Sequence, residues 1–275
     1  MRLGRIGYVN CYPVYGAMDR GIVPAPGELV TGTPNELNEA LAGGALDVSV
    51  ISAVAYAQHA TTLDLLPDLA ISSDGPVRSV MLFSRRAPEE LDGARVLLSS
   101  SSRTSVLLLD LLAREKWGVR FAGEPARTEP GDLAALARTA HDAVLVIGDG
   151  ALLLRAAGTY PIAVDLGEEW KRWTGLPFVF AVWAARRAVK RDTVRRAHGA
   201  LLASRTWGLA HIAELAEQAS RVADVDAGDC VEYLSGLDYG LSYQHLAGLT
   251  HFLGRLAGLG VVPDGTLSFV DASHV

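Results

Sequence analysis

Short apolar runs alternate along the chain with longer stretches in which apolar residues recur every three or four positions, the pattern of strands interleaved with amphipathic helices. Residues 3–9, 47–51, 69–72, 79–84, 95–99, 143–147 and 178–183 read as buried strands, with a shorter one at 163–166. Helices are predicted over 34–42, where Thr33 caps, Glu36 lies in the first turn and Gly43-Gly44 terminates, and over 53–59 behind Ser52. Further helices are expected at 106–117 and 151–157, with a helical turn at 168–173. After Trp183 the alternation stops. Helices over 192–219, broken near Gly208, and over 242–258 follow, with one more strand at 265–270. Strands alternating with helices over most of the chain predict an α/β protein.

The segment TGLPFVFAVW, residues 174–183, carries the clearest single signal. Gly175 and Pro177 punctuate a turn, and the aromatic run behind them reads as a strand covered on both faces. Together with 79–84 it forms one of two crossings between two lobes. Lobe I is expected over 1–84 and 181–275, and lobe II over 85–180 as an insertion. A ligand would sit in the central cleft, where strand ends and helix N-termini converge.

Composition narrows the function classes. The chain has 275 residues, 49% hydrophobic and 20% charged, enough for a substantial core in one or two domains. A net charge of -6 and a pI near 5.6 argue against a nucleic-acid partner, which needs a concentrated basic face. No stretch approaches the ~20 apolar residues of a membrane span. The N-terminus MRLGRIGYVN has no apolar leader region, and Cys11 and Cys230 form no CxxC, so a reduced, cytoplasmic chain is expected.

The chemistry-bearing residues gather at strand ends. Residues 99–105, SSSSRTS, follow a strand and open a helix, so hydroxyls, free backbone N–H groups and the helix dipole face one point: an anion site, or a helix cap with surplus serines. Asn10 follows the first strand with an amide that donates and accepts at once, and Ser52 and Ser79 occupy comparable edges. Asp149, in IGDG, orients a ligand or caps the next helix. GxSxG, HExxH and GxGxxG are missing, and the seven histidines are dispersed, so neither a metal nor a dinucleotide is expected.

Six motifs in order, GYVNCYP, LDVSVISAVAYA, LLPDLAISSDGPVRSVMLFS, SSSRTSVLLL, AVLVIGDGALL and DLGEEWKRWTGLPFVFAVWA, resemble the chorismate dehydratase family of the futalosine route to menaquinone. The resemblance is dense over the first two thirds and loose over the helical tail. It implies a two-lobed fold like that of periplasmic binding proteins of the second type, with no cofactor, and dehydration of chorismate to 3-[(1-carboxyvinyl)oxy]benzoate. Carried over, Asn10 contacts the departing hydroxyl or adjacent ether, Ser79, Ser101, Ser102 and Thr104 bind carboxylate, and Thr174 and Gly175 close the other side. A substrate carboxylate serves as base, with Asp149 as the protein-side alternative. Two other readings stand beside it: a 1,4-dihydroxy-6-naphthoate synthase-type enzyme of the same pathway, which relies on a histidine base missing from these motifs, and a non-catalytic small-carboxylate binding protein. The apolar face of the last helix, Leu246, Leu249, Phe252, Leu253 and Leu256, is core or the surface of a homodimer.

Overall fold

The computed structural model describes residues 1–270 and contains ten strands and eleven α-helices among them. The strands are β1 (Arg2–Ile6), β2 (Glu28–Gly32), β3 (Val48–Ser52), β4 (Leu63–Ser73), β5 (Val80–Ser84), β6 (Arg95–Ser99), β7 (Ala122–Ala126), β8 (Ala143–Ile147), β9 (Ile162–Asp165) and β10 (Phe178–Arg186). The helices are α1 (Tyr12–Asp19), α2 (Pro34–Ala42), α3 (Ala53–Gln58), α4 (Arg103–Leu111), α5 (Leu133–Leu136), α6 (Gly148–Ala157), α7 (Leu166–Thr174), α8 (Arg191–Ala210), α9 (Ile212–Ala223), α10 (Ala227–Ser235) and α11 (Tyr243–Gly258).

Two five-stranded sheets form the two lobes, in the orders β2-β1-β3-β10-β4 and β7-β6-β8-β5-β9. They share one plan. Three parallel strands are followed by an antiparallel fourth, and that fourth strand, β10 or β5, is the one that has just crossed from the other lobe. This moves the seams relative to the sequence reading. Val80–Ser84 pairs with β8 and β9, so the first crossing ends before residue 80 rather than after 84. Phe178 and Val179 pair with β4 of the first sheet, so the second crossing ends before residue 178.

Local chemistry accounts for the elements the pattern found. Thr33 and Glu36 form a reciprocal capping box at α2, and the Ser52 hydroxyl caps α3. Eight of the nine residues of β10 are buried, as a strand covered on both faces requires. Trp183 from this strand donates its indole N–H to the Tyr15 hydroxyl at 2.9 Å in the core. Phe178 packs edge-on against Trp170 and Phe252, with centroids 5.3 and 4.8 Å apart.

Other elements depart from the pattern. β1 stops at Ile6 because residues 9–11 turn tightly into α1, where Pro13 suits a helix's first turn. β2 and β7 are half-exposed edge strands without an apolar run. The helix expected over 192–219 breaks at His211 rather than at Gly208. Gly208 stays helical, and the close approach of α1 is what calls for glycine there: a β-carbon would lie 2.0 Å from the Pro13 carbonyl oxygen. Residues 265–270 form no strand; they add one bridge, Leu65 to Phe269, beside β4. On α11, Leu249, Phe252, Leu253 and Leu256 are buried within the chain, so that face is core.

Candidate active site

β1, β3, β6 and β8 all point their C-terminal ends at the gap between the lobes, the place where open α/β sheets hold ligands. A cavity opens there. Its walls include Tyr8, Asn10, Ser52, Ser79, Ser102, Ser105 and Gly148, on an apolar base of Ile6, Ile71, Val77, Val80, Ile147 and Phe180. None of the lining residues is charged. α4 and α6 both begin at this wall, each presenting the positive end of its dipole.

Four sequence-predicted residues meet in this cavity, from both sides of the seam. Asn10 sits in the tight turn after β1, and its Oδ1 is buried without a hydrogen-bond partner. The Ser52 hydroxyl accepts from Ala55 N at 3.3 Å and from Asn38 Nδ2 at 3.2 Å. Ser79 ends the first crossing; its carbonyl accepts from Gly148 N at 2.8 Å, and its hydroxyl makes only a long 3.4 Å bond to Val77 O. Ser102 caps α4 and stands 3.0 Å from the Ser105 hydroxyl.

The other predicted residues stand around this set. Ser101 turns its hydroxyl to Glu129 at 2.5 Å. Thr104 accepts from Val54 N at 3.0 Å, tying α4 to α3 across the lobes. Asp149, only 7% exposed, accepts from Val9 N at 3.1 Å and so fastens α6 to the Asn10 turn. Burial pushes the Asp149 carboxyl up to about 6; the Val9 N–H works against the rise and the charge of Glu129 adds to it. Thr174 and Gly175 are not among the lining residues. Thr174 bonds back to Trp170 O at 2.9 Å, and Gly175, at φ +75°, caps α7 in the left-handed conformation.

Three residues at the site escape a reading of the sequence. Tyr8 of lobe I lies over Gly148 of lobe II, whose φ is +61° and whose added β-carbon would meet the Tyr8 ring at 2.8 Å. Its hydroxyl donates to Glu129 Oε1 at 2.8 Å, and burial holds the phenol neutral far above the usual tyrosine range. Glu129 follows an edge strand in a segment without periodicity, so nothing marks it in advance. Tyr233 arrives from α10, a helix the pattern missed, and its buried hydroxyl stands beside Ser79 and Asn10 without hydrogen-bond geometry to either.

No group of three His, Cys, Asp or Glu side chains could hold a metal ion among the described residues. Both cysteines are buried free thiols, and burial pushes Cys11 up to about 12, which leaves it unreactive. No helix among the described residues is long and apolar enough to cross a membrane.

Comparison with known proteins fits this geometry. A family described as menaquinone biosynthesis matches residues 1–258. The chain belongs to the menaquinone-biosynthesis family. A chorismate dehydratase from Thermus thermophilus is 36% identical to it over 246 residues, 84% of this chain and 86% of the relative. Among solved structures, a protein from Archaeoglobus fulgidus superimposes with a TM-score of 0.74 at 19% identity, covering 95% of this chain and 98% of the other. The periplasmic aliphatic sulphonate binding protein of Escherichia coli superimposes with a TM-score of 0.68 at 15% identity, covering 97% and 94%. The menaquinone-biosynthesis chain therefore has the fold of the periplasmic binding proteins, as its two sheets and two crossings require.

Proposed function

We propose that this protein is a chorismate dehydratase, a carbon–oxygen lyase that removes water from chorismate to give 3-[(1-carboxyvinyl)oxy]benzoate. The observation that carries this reading is the uncharged cavity between the lobes, where Asn10, Ser52, Ser79 and Ser102 meet two helix N-termini. Its support is the 36% identity to the Thermus thermophilus chorismate dehydratase. A dianion held by hydroxyls and backbone dipoles keeps a basic carboxylate, whereas an arginine clamp would damp it.

The reaction balances within the substrate. The ring loses the hydrogen on its ether-bearing carbon and the hydroxyl on the neighbouring carbon, and the two leave as one water while the ring becomes aromatic. The enzyme's share is to exclude water and hold the ring so that one substrate carboxylate reaches that hydrogen. Asn10 and Ser79 bind the departing hydroxyl. Ser52 and Ser102, at helix starts, take the carboxylates. Thr104 acts one step back, by holding the lobes together around the ligand, Asp149 does the same through Val9, and Ser101 fixes the Glu129 carboxylate that Tyr8 of the first lobe bonds. Thr174 and Gly175 shape the end of α7 and the return crossing. The substrate is small and soluble, and both thiols are free, in keeping with a cytoplasmic enzyme.

Incubation of the purified protein with chorismate should convert the diene absorbance to a benzoate-type ultraviolet spectrum, with one product on chromatography. An unchanged spectrum, with chorismate bound in calorimetry, would replace the lyase with a binding protein.

A further inference from the structure

The back of the cavity holds a cluster of polar groups whose hydrogen bonds are incomplete. The Asn10 Oδ1 and the Tyr233 hydroxyl are each buried without a partner, and the Ser79 hydroxyl has only its long bond to Val77 O. Buried polar groups in folded proteins are nearly always paired, so an unpaired set gathered at one point marks a place where a ligand completes the pairing. Asn10 and Ser79 line the cavity, whereas Tyr233 lies behind them.

Tyr233 is fixed there by its helix. Its side chain is 1% exposed, and the neighbouring Glu232 forms an ion pair with Arg78. Arg78 stands next to Ser79 at a φ of +63°, a conformation that an arginine rarely adopts. α10 thus grips the first crossing at the residue before Ser79. The phenol oxygen stands beside Ser79 and Asn10 and is bonded to neither, and a tyrosine oxygen can accept from both while its own proton remains to donate.

We propose that Tyr233 is a positioning residue of the site: with substrate in the cavity, its hydroxyl, bonded to neither group here, takes hydrogen bonds from the covered side of Asn10 and Ser79 and so turns their remaining hydrogen-bonding capacity toward the departing hydroxyl of the substrate. This assigns the helical tail a part in the reaction, and it rests on the dehydratase reading above.

Tyr233→Phe removes one buried oxygen that has no hydrogen-bond partner. A hydroxyl that only fills space would leave kcat unchanged and leave thermal stability unchanged or higher. As a positioning group, its loss should lower kcat about tenfold, the effect of one hydrogen bond on a transition state, with KM within about twofold and the thermal midpoint not lowered. In an Asn10→Ala background the same change should cost less than about twofold, because the group it positions is gone. Tyr233→Phe with wild-type kcat overturns the inference, as does a loss that tracks a falling thermal midpoint or adds in full to Asn10→Ala. Wild-type turnover is measured first: if chorismate is untouched, the dehydratase reading falls and this inference with it, whereas an active wild type and an equally active variant remove only the role of Tyr233.

Discussion

The Tyr8 hydroxyl and the Glu129 carboxylate, 121 residues apart in sequence, meet at 2.8 Å across the gap between the lobes. Tyr8 comes from the turn after β1 in the first lobe, and Glu129 from the segment after β7 in the second, so their bond exists only while the lobes are together. Glu129 also accepts from Ser101 at 2.5 Å. Removing the tyrosine hydroxyl therefore leaves the carboxylate partly satisfied. Tyr8→Phe should cost about 1.5 kcal/mol of closure, roughly tenfold in kcat/KM for chorismate and mostly through KM. Steady-state kinetics checks it, and an unchanged KM would show that Tyr8 does not hold the closed form.

The same ring sets the requirement for glycine at 148. Alanine there must adopt φ +61° and place its β-carbon 2.8 Å from the Tyr8 ring. The backbone part costs about 1–2 kcal/mol in thermal stability, and the clash adds a loss of turnover by holding Tyr8 off the second lobe. Tyr8→Ala in the Gly148→Ala background should restore part of the turnover and none of the backbone cost. A Gly148→Ala variant with a wild-type melting curve would contradict the conformation assigned to this residue.

Much of this arrangement is legible in the sequence. The β6–α4 and β8–α6 junctions announce themselves as an apolar run ending in SSSSRTS and in IGDG, because the local strand and helix signals agree with the tertiary fold there. Asn10, Ser52, Ser79 and Ser102 follow from their places at strand ends, and the cavity brings them together. Tyr8 and Glu129 do not follow, since nothing local in either segment encodes a contact 121 residues away. β7 hides for a different reason: AGEPA has neither alternation nor an apolar run, and its neighbour β6 supplies the register. The family resemblance places Thr174 and Gly175 of the TGLPFVFAVW turn at the cleft. The turn's polar atoms instead finish α7, and the turn packs under α11.

That packing gives a stability prediction independent of the chemistry. A β-carbon on Gly248 of α11 would fall 2.0 Å from the Pro177 carbonyl oxygen, so α11 lies on the return crossing with no room for a methyl group. Gly248→Ala should destabilise by about 1–3 kcal/mol as α11 lifts away. Calorimetry should show a lower midpoint with kcat/KM at low temperature close to wild type, because no lining residue moves. Loss of turnover without loss of stability would place this crossing in the site after all.

Asp149 separates the two candidates for the base. Its carboxyl is pushed up to about 6 from an ordinary 3.8 because burial disfavours the charge more than the Val9 N–H supports it. A raised carboxyl binds its proton more tightly in the folded state, so its contribution to stability is greatest below about pH 4. It is lost as the pH rises through 6, and above that the charge costs about 3 kcal/mol. Asp149→Asn keeps an oxygen for Val9 N and removes the charge. The variant should melt higher than wild type at pH 7.5, and the difference should shrink steadily as the pH is lowered to 4. If a substrate carboxylate takes the proton, the same variant keeps turnover within about threefold, since the bond that fastens α6 to the Asn10 turn survives. A variant that folds, binds chorismate and fails to dehydrate it would transfer the base from the substrate to Asp149. In that case Asp149→Glu, which keeps the carboxyl but shifts it by one methylene, should recover part of the rate.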